Sequence, residues 1–296
     1  TMSAELPTFL FPLVSTVPIL LVCAQRPRWV DSPIKRVAQA LDLIPNHTAR
    51  IDLERLSNAD SKSLLHELLP QVKLPARLHG AIQQRGEGNP YFIEEYVRTL
   101  IEQGYVRQFQ GRWTVDRGRD LTDIPLPASL ETLIRSRIDA LPSDLKRTVQ
   151  YASVIGASFE AGLLELITGE PQIRETLTHL ESRLFVHGGA DSGRWEFNHT
   201  LIEAVAYNTL LKARRQTIHL TLAQALEARW VGTEAKHAKE LAYHYTEGGE
   251  SRKALSYLVL AGEQAAAGFA NEEAKSEVYR RQPRPGASNR GPRLAG

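Results

Sequence analysis

The sequence predicts a mostly α-helical chain built from several pieces, with a fragment of α/β sheet at its start. Three observations predict this class. A short, continuous run of β-branched and aliphatic residues, Val17–Ala24 (VPILLVCA), has the length and composition of one buried strand. From Leu56 onward apolar residues recur at helical spacing. Beyond Pro127 a set of striped helices is followed by two short segments on either side of a GGADSG turn.

Composition narrows the class further. A chain of 296 residues, 42% hydrophobic and 24% charged, is long enough for a buried core and suggests about two domains. One cysteine excludes a disulfide framework and any cysteine-built zinc or iron–sulfur site. The apolar run Val17–Ala24 is broken by Pro18 and falls far short of the ~20 residues that span a bilayer. The start TMSAELPTFLF has neither a basic segment nor a small-residue cleavage site. A cytoplasmic protein with no membrane partner is therefore expected. The formal charge is +2, from 36 Lys+Arg and 34 Asp+Glu, yet the last seventeen residues hold five Arg and no acid. Without them 31 basic residues face 34 acidic ones, so the body carries no basic field that would recruit nucleic acid. The Pro/Gly/Arg-rich tail is expected to be disordered. Residue 1 is Thr and the one Met is Met2, which leads us to expect a piece of something longer.

Taken in order, Pro27 stops the first strand, a polar helix follows from about Pro33 to Leu43, and a second short strand is expected at Ile51–Leu53. Ser57, with Asp60 three residues on, opens a helix whose apolar face is Leu64, Leu65, Leu68 and Leu69. A helix at about Pro75–Gln84 precedes the best-specified one, GNPYFIEEYVRTLIEQG, capped by Asn89, started by Pro90 and ended by Gly104. Its buried stripe is Phe92, Ile93, Tyr96, Val97, Leu100 and Ile101. Tyr105–Val115 reads as a hairpin turning at Gln110-Gly111. Leu130, Leu133, Ile134, Ile138 and Leu141 stripe one helix, and Leu145, Val149, Ala152 and Ile155 the next. A short helix at Ala161–Thr168 and one striped by Ile173, Leu177, Leu180 and Leu184 lead to a hairpin of Leu184–His187 and Arg194–Asn198. Three helices and then a hairpin is the winged-helix order. Two helices run from Leu201 to Trp230. A last helix pair, turning at Gly248-Gly249, resembles one tetratricopeptide unit and the start of another.

Five segments in this order, VPILLVCAQRP, IDLERLSNADSKSLL, GNPYFIEEYVRTLIEQG, LPASLETLIRSRIDALP and FNHTLIEAVAYNTLLKARRQTIH, carry a wider resemblance. Together they resemble the C-terminal half of the AAA-like, STAND-type signalling ATPase module. That module lies between cyclase catalytic domains and tetratricopeptide arrays in bacterial adenylate/guanylate cyclase-like proteins. The resemblance covers roughly residues 8–281. It implies the C-terminal part of a P-loop-type nucleotide-binding core over 1–72, a helical lid with a small hairpin over 73–126, a winged-helix region over 127–232, truncated tetratricopeptide-like helices over 233–281, and a disordered tail at 282–296. The family holds ATP with a Walker A loop, G-x-x-x-x-G-K-[ST], and Mg²⁺ with a Walker B acid. Neither pattern occurs here, so both are expected upstream of Val17, and this chain alone is not expected to bind ATP or ADP tightly.

The resemblance implies accessory nucleotide contacts at five residues. Arg26 stands where the family's sensor arginine faces the γ-phosphate; a loop arginine pairing with a surface carboxylate is the alternative. Gly88, Asn89 and Pro90 match a G-x-P element that approaches the base and sugar, though Asn-Pro is also a complete helix cap. His199 looks like the winged-helix histidine that contacts the β-phosphate of ADP; its alternative is to cap the helix beginning at Thr200. His237, Glu240 and His244 fall on one helical face, but the H-x-x-E-x-x-x-H spacing is not that of a zinc protease and points to repeat packing. The runs Arg135–Arg137 and Lys212–Arg215 read as solvated helix faces.

These readings converge on a fragment of an ATP-dependent regulatory protein, a nucleotide-state switch for an output domain such as a nucleotide cyclase. Its partners would be the upstream Walker-motif region and a protein bound by the repeat-like helices. The alternatives are a winged-helix/tetratricopeptide transcriptional regulator and a protein-interaction scaffold. Direct nucleic-acid binding is disfavoured, because the expected recognition helix, Gln172–Leu184, balances Arg174 and Arg183 with Glu175 and Glu181.

Overall fold

Caps written into the sequence place most of the helices. The computed structural model describes residues 17–20, 22, 49, 51–116, 124, 127–188 and 193–281. The chain divides into two units, Thr1–Arg55 and Leu56–Gly296. In the second unit, helix α1 (Asn58–Leu68) starts at Ser57, whose Oγ accepts the Asp60 N–H at 3.2 Å. Helix α2 (Ala76–Gly86) ends at Glu87 in the left-handed region. Helix α3 (Pro90–Glu102) is capped by Asn89, begins with Pro90 and buries Phe92, Ile93, Tyr96, Val97 and Leu100. The hairpin β1 (Val106–Phe109) and β2 (Arg112–Val115) pairs Phe109 with Arg112 around Gln110-Gly111, both at positive φ as a tight two-residue turn requires.

Helix α4 (Leu130–Asp139) is capped by Ser129, and α5 (Ser143–Ile155) follows Pro142. Strand β3 (Ser158–Glu160), α6 (Ala161–Thr168), α7 (Ile173–Ser182), β4 (Val186–Gly188) and β5 (Arg194–Phe197) complete a helix–strand–helix–helix–hairpin module. Its three antiparallel strands lie in the order β3-β5-β4, with Phe159 opposite Trp195 and Val186 opposite Phe197. Helices α8 (Thr200–Thr209) and α9 (Lys212–Arg229), a 3-10 turn (Glu234–His237), α10 (Ala238–Glu247) and α11 (Ser251–Arg281) finish the described chain. The protein is mostly helical, with few and small strands among the described residues.

Two large apolar clusters organise the second unit. One gathers α1, α2, α3 and the hairpin around Leu65, Ile82, Phe92, Tyr96 and Leu100, and includes Leu133. The other runs from Ile134 through α5–α9 and the three-stranded sheet to Leu241. Adjacent residues of α4, Leu133 and Ile134, thus serve different cores. A smaller cluster of Ala223, Tyr245 and Ala254 joins α9, α10 and α11.

Several expectations are corrected. Of the expected buried strand Val17–Ala24, the described residues Val17–Leu20 and Val22 are in no strand, and their apolar side chains are 36–87% exposed where residues 17, 19, 20 and 22 are concerned. Ile19 N–H instead turns back to the Val17 carbonyl at 2.8 Å. Ile51–Leu53 is likewise in no strand, with Ile51 and Leu53 exposed. A fully buried strand needs neighbours on both sides, and among the described residues neither segment has one. Leu184 is not in the α7 stripe. It sits at φ 60 and is largely exposed, while Phe185 takes the buried position. Arg137 is not on a solvated face: it is 2% exposed. Arg214 and Arg215 are also engaged, Arg214 donating to the Tyr151 hydroxyl at 2.6 Å and Arg215 lying over the Tyr207 ring. The helix expected near residues 33–43 and the tail at 282–296 lie outside the described residues.

Candidate functional site

The site is built where α3 and α8 begin. After α2, Glu87 and Gly88 both take positive φ, 47° and 73°, which reverses the chain within two residues. The turn is held by Asn89 N–H to the Gly86 carbonyl at 2.7 Å and by Leu56 N–H to the Gly88 carbonyl at 2.8 Å. Gly86 has no room for a side chain, because a Cβ there would meet the Phe92 ring at 2.8 Å. Asn89 Oδ1 then accepts the Tyr91 N–H at 3.0 Å, and Pro90 occupies the first turn, where no amide hydrogen is needed. The G-N-P element is a helix cap.

His199 caps the other helix. Its Nδ1 accepts the Leu201 N–H at 3.1 Å, with His199 in extended backbone. With Nδ1 spent as an acceptor, the neutral ring carries its hydrogen on Nε2 and can donate it. The two caps, far apart in sequence, are in contact. The ring of Tyr91, next after Pro90, stacks on His199 with centroids 4.2 Å apart and planes 14° from parallel. The N-termini of α3 and α8 therefore meet, and each presents the positive end of its dipole, while the caps take up leading amides: Asn89 those of Tyr91 and Phe92, His199 those of Leu201 and Ile202. Such a junction favours an anion.

Around it, the Tyr91 hydroxyl is buried with no hydrogen-bond partner among the described residues, and burial, reinforced by the Glu95 charge, pushes its pKa up. Glu203, in the first turn of α8, has its pKa raised by burial. One turn along α3 from Tyr91, fully buried Glu95 meets the Arg137 guanidinium of α4. Arg137 also donates to both oxygens of Glu102, from Nε at 3.0 Å and from Nη2 at 2.7 Å. Burial works against the Arg137 charge, but the Glu102 hydrogen bonds and the Glu95 charge outweigh it and raise the pKa.

Of the five expected residues, Gly88, Asn89 and Pro90 directly precede Tyr91, whose ring stacks on the fourth, His199. Arg26 lies outside the described residues. Tyr91, Glu95 and Arg137 were not anticipated. A signal for Arg137 was present: it falls among Leu130, Leu133, Ile134, Ile138 and Leu141 on one apolar helical face. His237, Glu240 and His244 separate: His237 stacks on Trp230, His244 faces α9, and Glu240 is exposed. Among the described residues no group of three or more His, Cys, Asp or Glu can hold a metal. None of the described helices is long and apolar enough to cross a membrane.

A profile for a domain of unknown function (DUF8739) matches residues 57–112, from the α1 cap to the first residue of β2. An uncharacterized protein of Rhizobium meliloti (strain 1021) is 24% identical over 288 residues, an alignment covering 89% of this chain. The chain spans about a quarter of that relative's length, 25%. Neither description states an activity.

Proposed function

We propose that this chain is part of a STAND-type, nucleotide-dependent signalling switch, in which α1–α3 with the hairpin act as a lid and residues 127–232 as a winged helix. The observation that carries this reading is the Tyr91–His199 contact. It sets the positive ends of two helix dipoles beside an imidazole, a local potential that favours a phosphate. The strand order β3-β5-β4, with β3 between the first two helices of its module and the β4–β5 hairpin after the third, supports the winged-helix assignment. The packing of α10 on α9 and of α11 on α10 across Gly248-Gly249 supports a tetratricopeptide-like one. Walker A and B elements, and with them Mg²⁺ and the output domain, would come from other parts of a longer polypeptide. Arg26 would read the γ-phosphate there. The Nε2–H of His199 would bind an ADP phosphate oxygen while Gly88, Asn89 and Pro90 approach the sugar.

The test is ADP affinity, by calorimetry, of a polypeptide joining these residues to the Walker-bearing region. His199→Ala should weaken ADP by about tenfold, the worth of one charge-assisted hydrogen bond. An unchanged affinity would sink the assignment of His199. Micromolar ATP binding by residues 1–296 alone would sink the claim that the Walker region is required.

A protein-interaction scaffold is compatible with this switch and is favoured by one observation. Helix α11 leaves Leu255, Leu258 and Val259 exposed.

A further inference from the structure

We propose that Arg137 is a positioning residue that holds Tyr91 and His199 face to face, so that the junction of the two cores depends on one buried guanidinium. The inference deepens the reading above and rests on it only in treating that junction as functional.

The argument follows the bonds. Arg137 grips α3 from one side through Glu95 and through both oxygens of Glu102, two turns apart on the same helical face. From the other side its Nη2 donates to the Arg183 carbonyl at 2.7 Å, and its Cζ lies 4.6 Å from the centre of the Phe185 ring. Glu95 stands one helical turn beyond Tyr91. Phe185 accepts the Asn198 N–H at 3.1 Å, and Asn198 directly precedes His199. A closed circuit results: Tyr91, one turn of α3, Glu95, Arg137, the Arg183–Phe185 segment, Asn198, His199, and back to Tyr91 by stacking. Arg137 is the member that touches both arms.

The choice of residue type fits positioning better than adhesion. Taking a guanidinium and a carboxylate out of water costs about as much as their attraction returns, and apolar residues of similar volume often stabilise such a contact as well or better. What the ions add is direction. Four of the five N–H donors of Arg137 have fixed acceptors on two elements, whereas apolar side chains allow the elements to slide. The charges balance locally, since Arg98 donates to Glu95 at 2.7 Å and leaves two cations facing Glu95 and Glu102.

The test needs no nucleotide. The Tyr91 ring current displaces the ring-proton resonances of His199, and Tyr91→Leu in the full chain gives the value without it. Arg137→Met should move the His199 signals most of the way to that value while the signals of His237, stacked on Trp230 elsewhere, stay in place as a folding control. Arg137→Lys, which keeps the charge but not the fork, should move them similarly. If Arg137→Met does not fold, Glu95→Met/Arg137→Met, which removes the opposing charges together, carries the same expectation. Glu102→Gln, at the partly exposed end of the cluster, should give an intermediate shift. A folded variant of this set with wild-type His199 signals overturns the proposal. Should His199→Ala leave ADP affinity intact while Arg137→Met moves the His199 signals, the nucleotide reading falls and the positioning role stands.

Discussion

At the scale of single residues, two glycines are dictated by what lies across from them. A Cβ on Gly188 would meet the Trp195 ring at 2.6 Å and the Arg194 carbonyl oxygen at 2.8 Å, and backbone cannot move aside as a side-chain tip can. Gly86 faces only the Phe92 ring, at 2.8 Å, but that ring is 1% exposed and held by the core. Overpacking of this kind costs about 1–3 kcal/mol. Gly188→Ala should therefore lower the unfolding free energy in urea by about 2 kcal/mol, and Gly86→Ala by less; an unchanged midpoint for Gly188→Ala would contradict the strand geometry described. Neither clash is legible in the sequence, since Gly188 opens the GGADSG turn and reads simply as a turn residue. The cap residues are legible, because Ser57, Asn89 and Ser129 act on amides two or three positions away. For Arg137 the place on an apolar face was legible and the partners were not. Its partners lie on α3 and in the α7–β4 turn, and no local pattern announces them.

At the scale of elements, α9 and α10 are joined by a buried histidine pair. Nδ1 of His219 lies 2.9 Å from Nδ1 of His244, and Nε2 of His219 lies 3.0 Å from the Tyr207 hydroxyl of α8. Burial lowers the pKa of both rings, that of His244 to about 4, with its neighbour's charge adding to the effect. Glu247, Arg215, Tyr243 and Glu203 are the other titratable groups around them. Each histidine is held neutral in the folded state and titrates near 6.5 when unfolded. The stability that neutral His244 contributes is complete above about pH 6.5 and is lost as pH falls from there toward about 4, at about 1.4 kcal/mol per unit, and His219 acts in the same direction. Thermal melting between pH 7.5 and 4.5 should show this slope, and His244→Gln should flatten it. An equally steep profile in the variant would place the sensitive groups elsewhere. A repeat-like pairing was expected between α10 and α11 across Gly248-Gly249, whereas the α9–α10 histidine contact was not, since it joins two helices through side chains 25 positions apart. Strands fared worse than helices for the same physical reason. The described residues of Val17–Ala24 and of Ile51–Leu53 are in no strand despite strand-like composition, whereas β3, three residues long, pairs with β5.

At the scale of the whole second unit, helix α4 is the joint. Leu133 packs with α1–α3 and Ile134 with α5–α9, both fully buried. Truncating either to alanine should cost about 2–5 kcal/mol. The two losses should appear in different places. Hydrogen exchange should quicken across α1–α3 in Leu133→Ala and across α5–α8 in Ile134→Ala. Identical exchange maps would show that the two clusters open as one. The mostly helical class was legible from periodicity. The division into two cores was not, because it turns on which side of one helix each neighbour fills.

His199 holds two jobs on separate atoms, and they can be taken apart. The capping nitrogen Nδ1 satisfies a backbone amide, a task asparagine performs at least as well at this position. His199→Asn should therefore keep α8 intact by circular dichroism while deleting both the aromatic face turned to Tyr91 and the Nε2 hydrogen. A helix start and a ligand contact that share one side chain become separable by a single substitution, and loss of ADP affinity in that variant could not be blamed on an unravelled helix.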